Sequence, residues 1–192
     1  MEFSHDEDGL AGKLLIAMPG IDDKRFSKTV ILVCAHSDEH AMGIVLNRTM
    51  GDITLPDLLE QLDVPMTVAP PEDAVLLGGP VGKDRGFVIH SEDFESVGAT
   101  IPIGDGLRLT ATKEILQAIA SEDRPKKSRL ALGYSGWGPM QLENELKENV
   151  WLVVDADDGI IFDSDFEQKW ERAIAKLGVT PANLHAGPAG RA

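Results

Sequence analysis

A chain of 192 residues, 43% hydrophobic and 26% charged, has material for one domain with a sizeable core and too little for two ordinary ones. Its 32 acidic residues against 18 Lys and Arg leave a formal net charge of −14, a field that repels a polyphosphate backbone and makes direct nucleic-acid binding unlikely. The single cysteine excludes an intramolecular disulfide, and no run resembles a spanning helix or a secretory leader, so a cytoplasmic protein without a membrane partner is expected.

Residues 1–11 are acidic and without apolar period, and read as a mobile tail before one domain over 12–180; residues 181–192 read as a second tail. Lys13 to Met18 predicts a strand broken by Pro19-Gly20. Thr29 to Ala35, with Cys34 as an inert core residue, and Met42 to Asn47 predict two more, joined as a hairpin through the polar loop His36 to His40. Thr54, Pro56 and Asp57 supply an N-cap, a tolerated early proline and a first-turn acid for a short helix whose Leu58, Leu59 and Leu62 share one face. Val64 to Asp73 is proline-rich and reads as a loop. Ala74 to Leu77 and Gly86 to His90 read as strands around the turn Gly78-Gly79-Pro80.

Leu107 and Leu109 mark a brief strand, and Thr112 caps a helix striped by Ile115, Leu116 and Ile119 that ends before Pro125. Arg124, Lys126, Lys127 and Arg129 read as a solvated connection. Leu130, Leu132 and Tyr134 alternate as a strand, Gly133, Gly136 and Gly138 read as a turn, and Pro139 opens an amphipathic helix. Val150 to Val154 and Ile160 to Phe162 flank Asp158-Gly159, the signature of a tight hairpin turn. A last helix over Glu167 to Leu177 places Trp170, Ile174 and Leu177 on one side, with Gly178 beyond its end. Strands outnumber helices without alternating strictly with them, which predicts an α+β domain around a mainly antiparallel sheet.

Enzymatic signatures come close and fail. Gly133-Tyr134-Ser135-Gly136 begins like a nucleophile elbow but continues with Trp137 instead of glycine. Gly82-Lys83 is followed by Asp84 where a phosphate loop needs a hydroxyl, and no other cofactor motif is present. His36 and His40 lie four apart in a segment that does not read as helix, so no metal site is expected, and Asp155, Asp157 and Asp158 fit a hairpin turn better than a calcium loop. A constellation remains: Gly78, Gly79 and Pro80; Gly136, Trp137 and Gly138; Asn47 and Arg48 at a strand end; and His90 ending another. If these converge, exposed N–H groups and Arg48 favour a carboxylate or phosphate, Trp137 offers a stacking face, and Gln141 and Glu143 orient the guest. The alternative is that the glycines permit close packing, Trp137 fills the core and Arg48 pairs with an acid.

The segments GKLLIAMPG, the histidine before AMGIVLNR, LGGPVGKDRGFVIH, LGYSGWGPMQLENEL and NVWLVVDADDGIIF together resemble the YqgE/AlgH family of bacterial proteins, from about Gly12 to Gly178. Departures are Thr49, His40, Ser135 and Met140, where the family tends to proline, glycine, alanine and glycine. The resemblance implies a single α+β domain with a strongly coiled, mainly antiparallel sheet. The family is largely uncharacterised, with no established catalytic residues. One branch is named for alginate regulation and described as a transcriptional regulator. Three functions follow as expectations: a non-enzymatic binding or regulatory module for a protein partner or small anionic ligand, a regulator acting indirectly on transcription, and a hydrolase with His36 or His90 as base near Ser135 or an acid.

Overall fold

The computed structural model describes residues 9–184. Its first half contains β1 (Lys13–Ala17), β2 (Val30–His36), β3 (Ala41–Val45), β4 (Thr49–Thr54), α1 (Leu55–Gln61), β5 (Ala74–Leu77) and β6 (Val81–Ser91). Its second half contains β7 (Thr100–Ile103), β8 (Leu107–Thr110), α2 (Lys113–Ile119), β9 (Ser128–Trp137), α3 (Gln141–Lys147), β10 (Trp151–Asp155), α4 (Asp158–Ile161) and α5 (Lys169–Ala175). The strands follow the order β10-β1-β2-β3-β9-β6-β8-β7, curled into a half-barrel, and β5 joins β4 to β9. Every pairing is antiparallel except β5 with β9. The α+β expectation is met.

Both faces of this sheet are covered, which is why β1 and β2 read as nearly continuous apolar runs. Alternation still sorts the side chains: Leu14, Ile16, Leu32 and Ile44 enter the core beneath α5, while Leu15, Ala17, Ile31 and Val33 enter a second core with Trp137, Leu142 and Trp151. A third cluster joins α1 and α2 to Val75, Val88 and Leu130. Helix α1 forms where its signals are local. The Thr54 hydroxyl accepts the Asp57 N–H while the Asp57 carboxylate accepts the Thr54 N–H, closing the capping box.

Several expectations are corrected. Gly133 and Gly136 do not turn the chain, since β9 runs through both to Trp137 and pairs with β3, β5 and β6. Asp158-Gly159 opens a helical turn instead of a hairpin, because the Asp157 side chain accepts the Gly159 N–H and caps α4. Arg129 is no solvated residue: it is 3% exposed at the start of β9, paired with Asp73 and bonded to the Phe162 carbonyl. Leu177, placed on the buried side of the last helix, is exposed. Strands β4 and β7 were not expected. Residues 1–8 and 185–192 of the two expected tails lie outside the described residues. Of the remainder, Leu10 N–H donates to His36, Pro181–Asn183 form a 3-10 turn, and Leu184 packs on the core.

Candidate functional site

The glycines, Arg48 and His90 singled out by the sequence do not surround one cavity. Gly78 and Gly79 cross β9 at close range: a Cβ on Gly78 would overlap the Gly133 carbonyl oxygen, and one on Gly79 the Tyr134 peptide. Gly78 N–H donates to Leu132 O and its carbonyl accepts from Val45 N–H, both at 2.9 Å. Both glycines permit this packing, and the Gly78 amide is taken by the protein itself.

Asn47 and Arg48 act as a clasp on the segment 24–28. Asn47 accepts from Val30 N–H at 3.0 Å and donates to Lys28 O at 2.7 Å, and Arg48 donates to the carbonyls of Ser27 and Lys24 at 2.9 and 3.4 Å. Arg48 is thus neither a ligand arm in the cleft nor the partner of an acid. His90 is fully buried between β6 and β8. Its Nδ1 faces the Ser91 carbonyl, which only accepts, so Nδ1 carries the proton and Nε2 accepts from the Thr110 hydroxyl, both at 2.8 Å. Burial lowers the His90 pKa, keeping the ring neutral.

Pro80, Gly136, Trp137 and Gln141 do come together, along one side of a cleft of about 910 Å³. The opposite side is the turn after β1, with Ile21, Asp22, Asp23 and Phe26, and the end is closed by Glu148 to Trp151. Glu145, which the sequence reading passed over for Glu143, organises the floor. One of its oxygens accepts the indole N–H of Trp137 and of Trp151, each at 2.8 Å, and the other accepts the Gln141 amide at 3.1 Å. Trp137 and Trp151 are 5% and 4% exposed and meet edge to face at 6.1 Å between centroids; Phe26 meets Trp151 the same way at 5.7 Å. The expected stacking face of Trp137 is therefore occupied by protein.

Gly138 N–H, expected to greet an anion, donates to the Gln141 side chain at 3.0 Å, and Met140 N–H donates to the Asp38 carbonyl. Gln141 N–H donates to the Gly138 carbonyl, so these three amides before and at the start of α3 are engaged, although Met140 places no side-chain cap on the helix. The cleft carries four carboxylates, Asp22, Asp23, Glu145 and Glu148, against the two cations Arg25 and Lys147. Arg25 is matched by Asp23 at 2.7 Å, and the guanidinium holds that carboxyl below its usual range. Its electrostatic character is acidic. A helix from Gln141 puts Glu145 one turn on, which was the available signal; Phe26 and Trp151 had none, because only the sheet brings them near Trp137.

The residues considered for chemistry are engaged elsewhere. Ser135 is buried and donates to Gly78 O at 3.3 Å. His36 donates from Nε2 to Glu143 at 2.5 Å while Nδ1 accepts Leu10 N–H. Thus neither His36 nor His90 forms a hydrogen bond with Ser135, and the pairing a serine hydrolase needs is not made. Asp155, Asp157 and Asp158 pair with Lys13, Lys176 and Lys127, and no group of three His, Cys, Asp or Glu residues suited to a metal occurs among the described residues. Cys34 is buried and its thiol is pushed up to about 12 by burial, as an inert core residue should be. No helix among the described residues is long and apolar enough to cross a membrane.

Known proteins agree with this architecture over nearly the whole chain. Residues 14–182 match the family model described as AlgH-like. A UPF0301 protein of Caulobacter vibrioides is 54% identical over 190 residues, covering 97% of each chain, and one of Rhodopseudomonas palustris is 53% identical over 186 residues, covering 93% of this chain and 85% of the other. The solution structure of the AlgH protein from Pseudomonas aeruginosa superposes with a TM-score of 0.75 at 39% identity over the full length of both chains. A crystal structure from Corynebacterium diphtheriae, at 19% identity and a TM-score of 0.70 over 92% of this chain and 90% of that one, shares the fold. With the predicted motifs in the predicted order and relatives matched end to end, the chain belongs to the AlgH-like family.

Proposed function

We propose that this protein is a non-enzymatic binding module whose cleft receives a basic, partly apolar segment of a protein partner. The observation that carries the reading is the floor of the cleft: three aromatic rings locked edge to face, with both indole N–H groups tied to Glu145, beneath a rim where Asp22, Asp23 and Glu148 outnumber Arg25 and Lys147. A rigid apolar floor with a charged rim is how protein interfaces combine affinity with orientation. That rim repels the anionic metabolite suggested by the glycine turns, and the amides of Gly138, Met140 and Gln141 are already engaged within the protein. Exposed Val81 adds an apolar wall for an aliphatic side chain.

A regulatory consequence, of the kind the alginate-linked branch suggests, runs through that partner: a surface with net charge −14 is a poor match for DNA. The test is a titration of the intact protein with short peptides of matched hydrophobicity carrying Lys and Arg or Asp and Glu, read by tryptophan fluorescence. Basic peptides should bind more tightly, more weakly as salt rises, and lose binding when Asp22 and Glu148 are both changed to Lys. Equal binding of both peptide sets, or indifference to the charge reversal, overturns the reading.

A further inference from the structure

A second cavity, of about 380 Å³, lies on another part of the molecule between α1, α2 and the strands β6 and β9. Its walls are aliphatic, with Leu58, Ile115 and Leu116 from the helices, Val64 from the loop after α1, and Leu130 and Leu132 from β9. On the strand floor, Gly86 stands opposite Leu132 and Val88 opposite Leu130. Gly86 is thus the one position of these four without a side chain.

Neither sterics nor backbone explains a glycine there. A Cβ on Gly86 would meet only Leu130 and Leu132 methyls, at 3.7 and 3.8 Å, and Gly86 is absent from the positive-φ glycines of the chain. A glycine inside a strand costs stability, so its effect here is to leave the floor of the cavity open. The mouth is cationic in an acidic protein. Just before Gly86, five residues of β6 advance against two of β9, and this irregularity carries Lys83 to the rim, where Lys113 of α2 joins it. Neither lysine forms an ion pair among the described residues, and Asp84 is the single carboxylate beside them. Thr112 also lines the cavity, and its hydroxyl, with almost no accessible surface of its own, has no hydrogen-bond partner among the described residues. A buried orphan hydroxyl is uncommon and marks where a polar group of a guest would be satisfied.

We propose that this cavity binds a medium-chain alkyl carboxylate, with the chain over Gly86 and the carboxylate at Lys83, Lys113 and the Thr112 hydroxyl. An apolar hollow of this size with a few convergent polar groups at one end fits a small amphiphile, and an acidic chain that keeps two unpaired cations there selects an anionic head. The test is an NMR titration of the intact protein with octanoate, decanoate and octanol. The carboxylates should shift the amides of Gly86, Thr112 and Leu132 and leave Gly138 and Asn149 unmoved. Two added methylenes should tighten binding about tenfold, and octanol should bind several-fold more weakly than octanoate. Changing Lys83 and Lys113 together to Ala should remove that preference, and Gly86→Val, which fills the floor, should abolish binding. If Gly86→Val does not fold, the map of shifts on the unaltered protein and the lysine variant decide. Octanol binding as well as octanoate, shifts centred outside the cavity, or no shift with either carboxylate overturns the proposal.

Discussion

Replacing Glu145 by Ala removes the acceptor shared by two nearly buried indoles. Trp137 and Trp151 each donate to the same carboxylate oxygen at 2.8 Å, and neither N–H has a second acceptor among the described residues. An orphaned buried donor costs about 1–3 kcal/mol. Two would cost about 2–6 kcal/mol, but Glu145 is half-buried, so water enters the vacated space and the lower half of that range, about 2–4 kcal/mol, is expected. That is a large share of the roughly 5–15 kcal/mol that holds a domain together. Glu145→Gln keeps an oxygen for the indoles but turns its amide toward that of Gln141, whose own oxygen is committed to Gly138, so about 1 kcal/mol is lost. The assay is equilibrium urea unfolding followed by far-UV circular dichroism, repeated with Trp137 and Trp151 changed to Phe. In that background the cost of Glu145→Ala should shrink by more than half, since Phe has no N–H to orphan. A Glu145→Ala penalty below about 0.5 kcal/mol, or one unchanged in the Phe background, would refute the reasoning.

The crossing of Gly78 and Gly79 over β9 predicts that Gly79→Ala, whose Cβ would overlap backbone, costs more than about 4 kcal/mol or prevents folding, whereas Gly86→Ala is neutral or stabilises by up to about 1 kcal/mol; urea midpoints of the two variants check the contrast. Lys169 is fully buried, donates to the Ile160 carbonyl, and has its pKa lowered from 10.5 to about 8, first by burial and then by the nearby Arg129 charge. The unfolded chain therefore holds the Lys169 proton over a pH window in which the folded chain has released it. Stability should rise from about pH 8 to the ordinary 10.5 and carry the whole penalty, about 3 kcal/mol, below 8. Unfolding free energy measured from pH 7 to 10.5 should lose most of this rise in Lys169→Met; an unchanged slope would contradict it.

Much of the fold was legible because its determinants are local. Thr54, Pro56 and Asp57 announce α1 within four residues, and the apolar runs of β1, β2 and β3 need no distant partner to be recognised. Errors arose where one local signal serves two structures. Asp and Gly at 158–159 suit a tight turn and a capped helix start equally, and the difference lies in Asp157 accepting the Gly159 N–H. Gly133, at φ 76°, suited a turn but sits within β9, where its missing Cβ lets the Gly79 carbonyl pass. Strand β4, with Gly51 and Asp52 exposed in its middle, has no apolar alternation; its pairing with β5 reveals it.

The candidate site divides in the same way. Pro80, Gly136, Trp137 and Gln141 share the cleft: Gly136 and Trp137 end β9, Gln141 opens α3 just beyond it, and Pro80 precedes β6, whose Val81 pairs with Tyr134 of β9. Asn47, Arg48 and His90 met the same chemical criteria but serve the scaffold, since hydrogen-bond capacity in a sequence does not say which partner satisfies it.

By itself the sequence determined the family, the α+β class, the acidic character and the strands β1, β2 and β3, because apolar period and charge are set by a few neighbouring residues. Only the folded arrangement decided that Glu145 holds two tryptophans fourteen residues apart, that the cleft is acidic, and that Gly86 leaves an open hollow where Gly78 and Gly79 fill one. Those outcomes depend on which strands pair and in what register, and register is a collective property of the core with no signature at any single position.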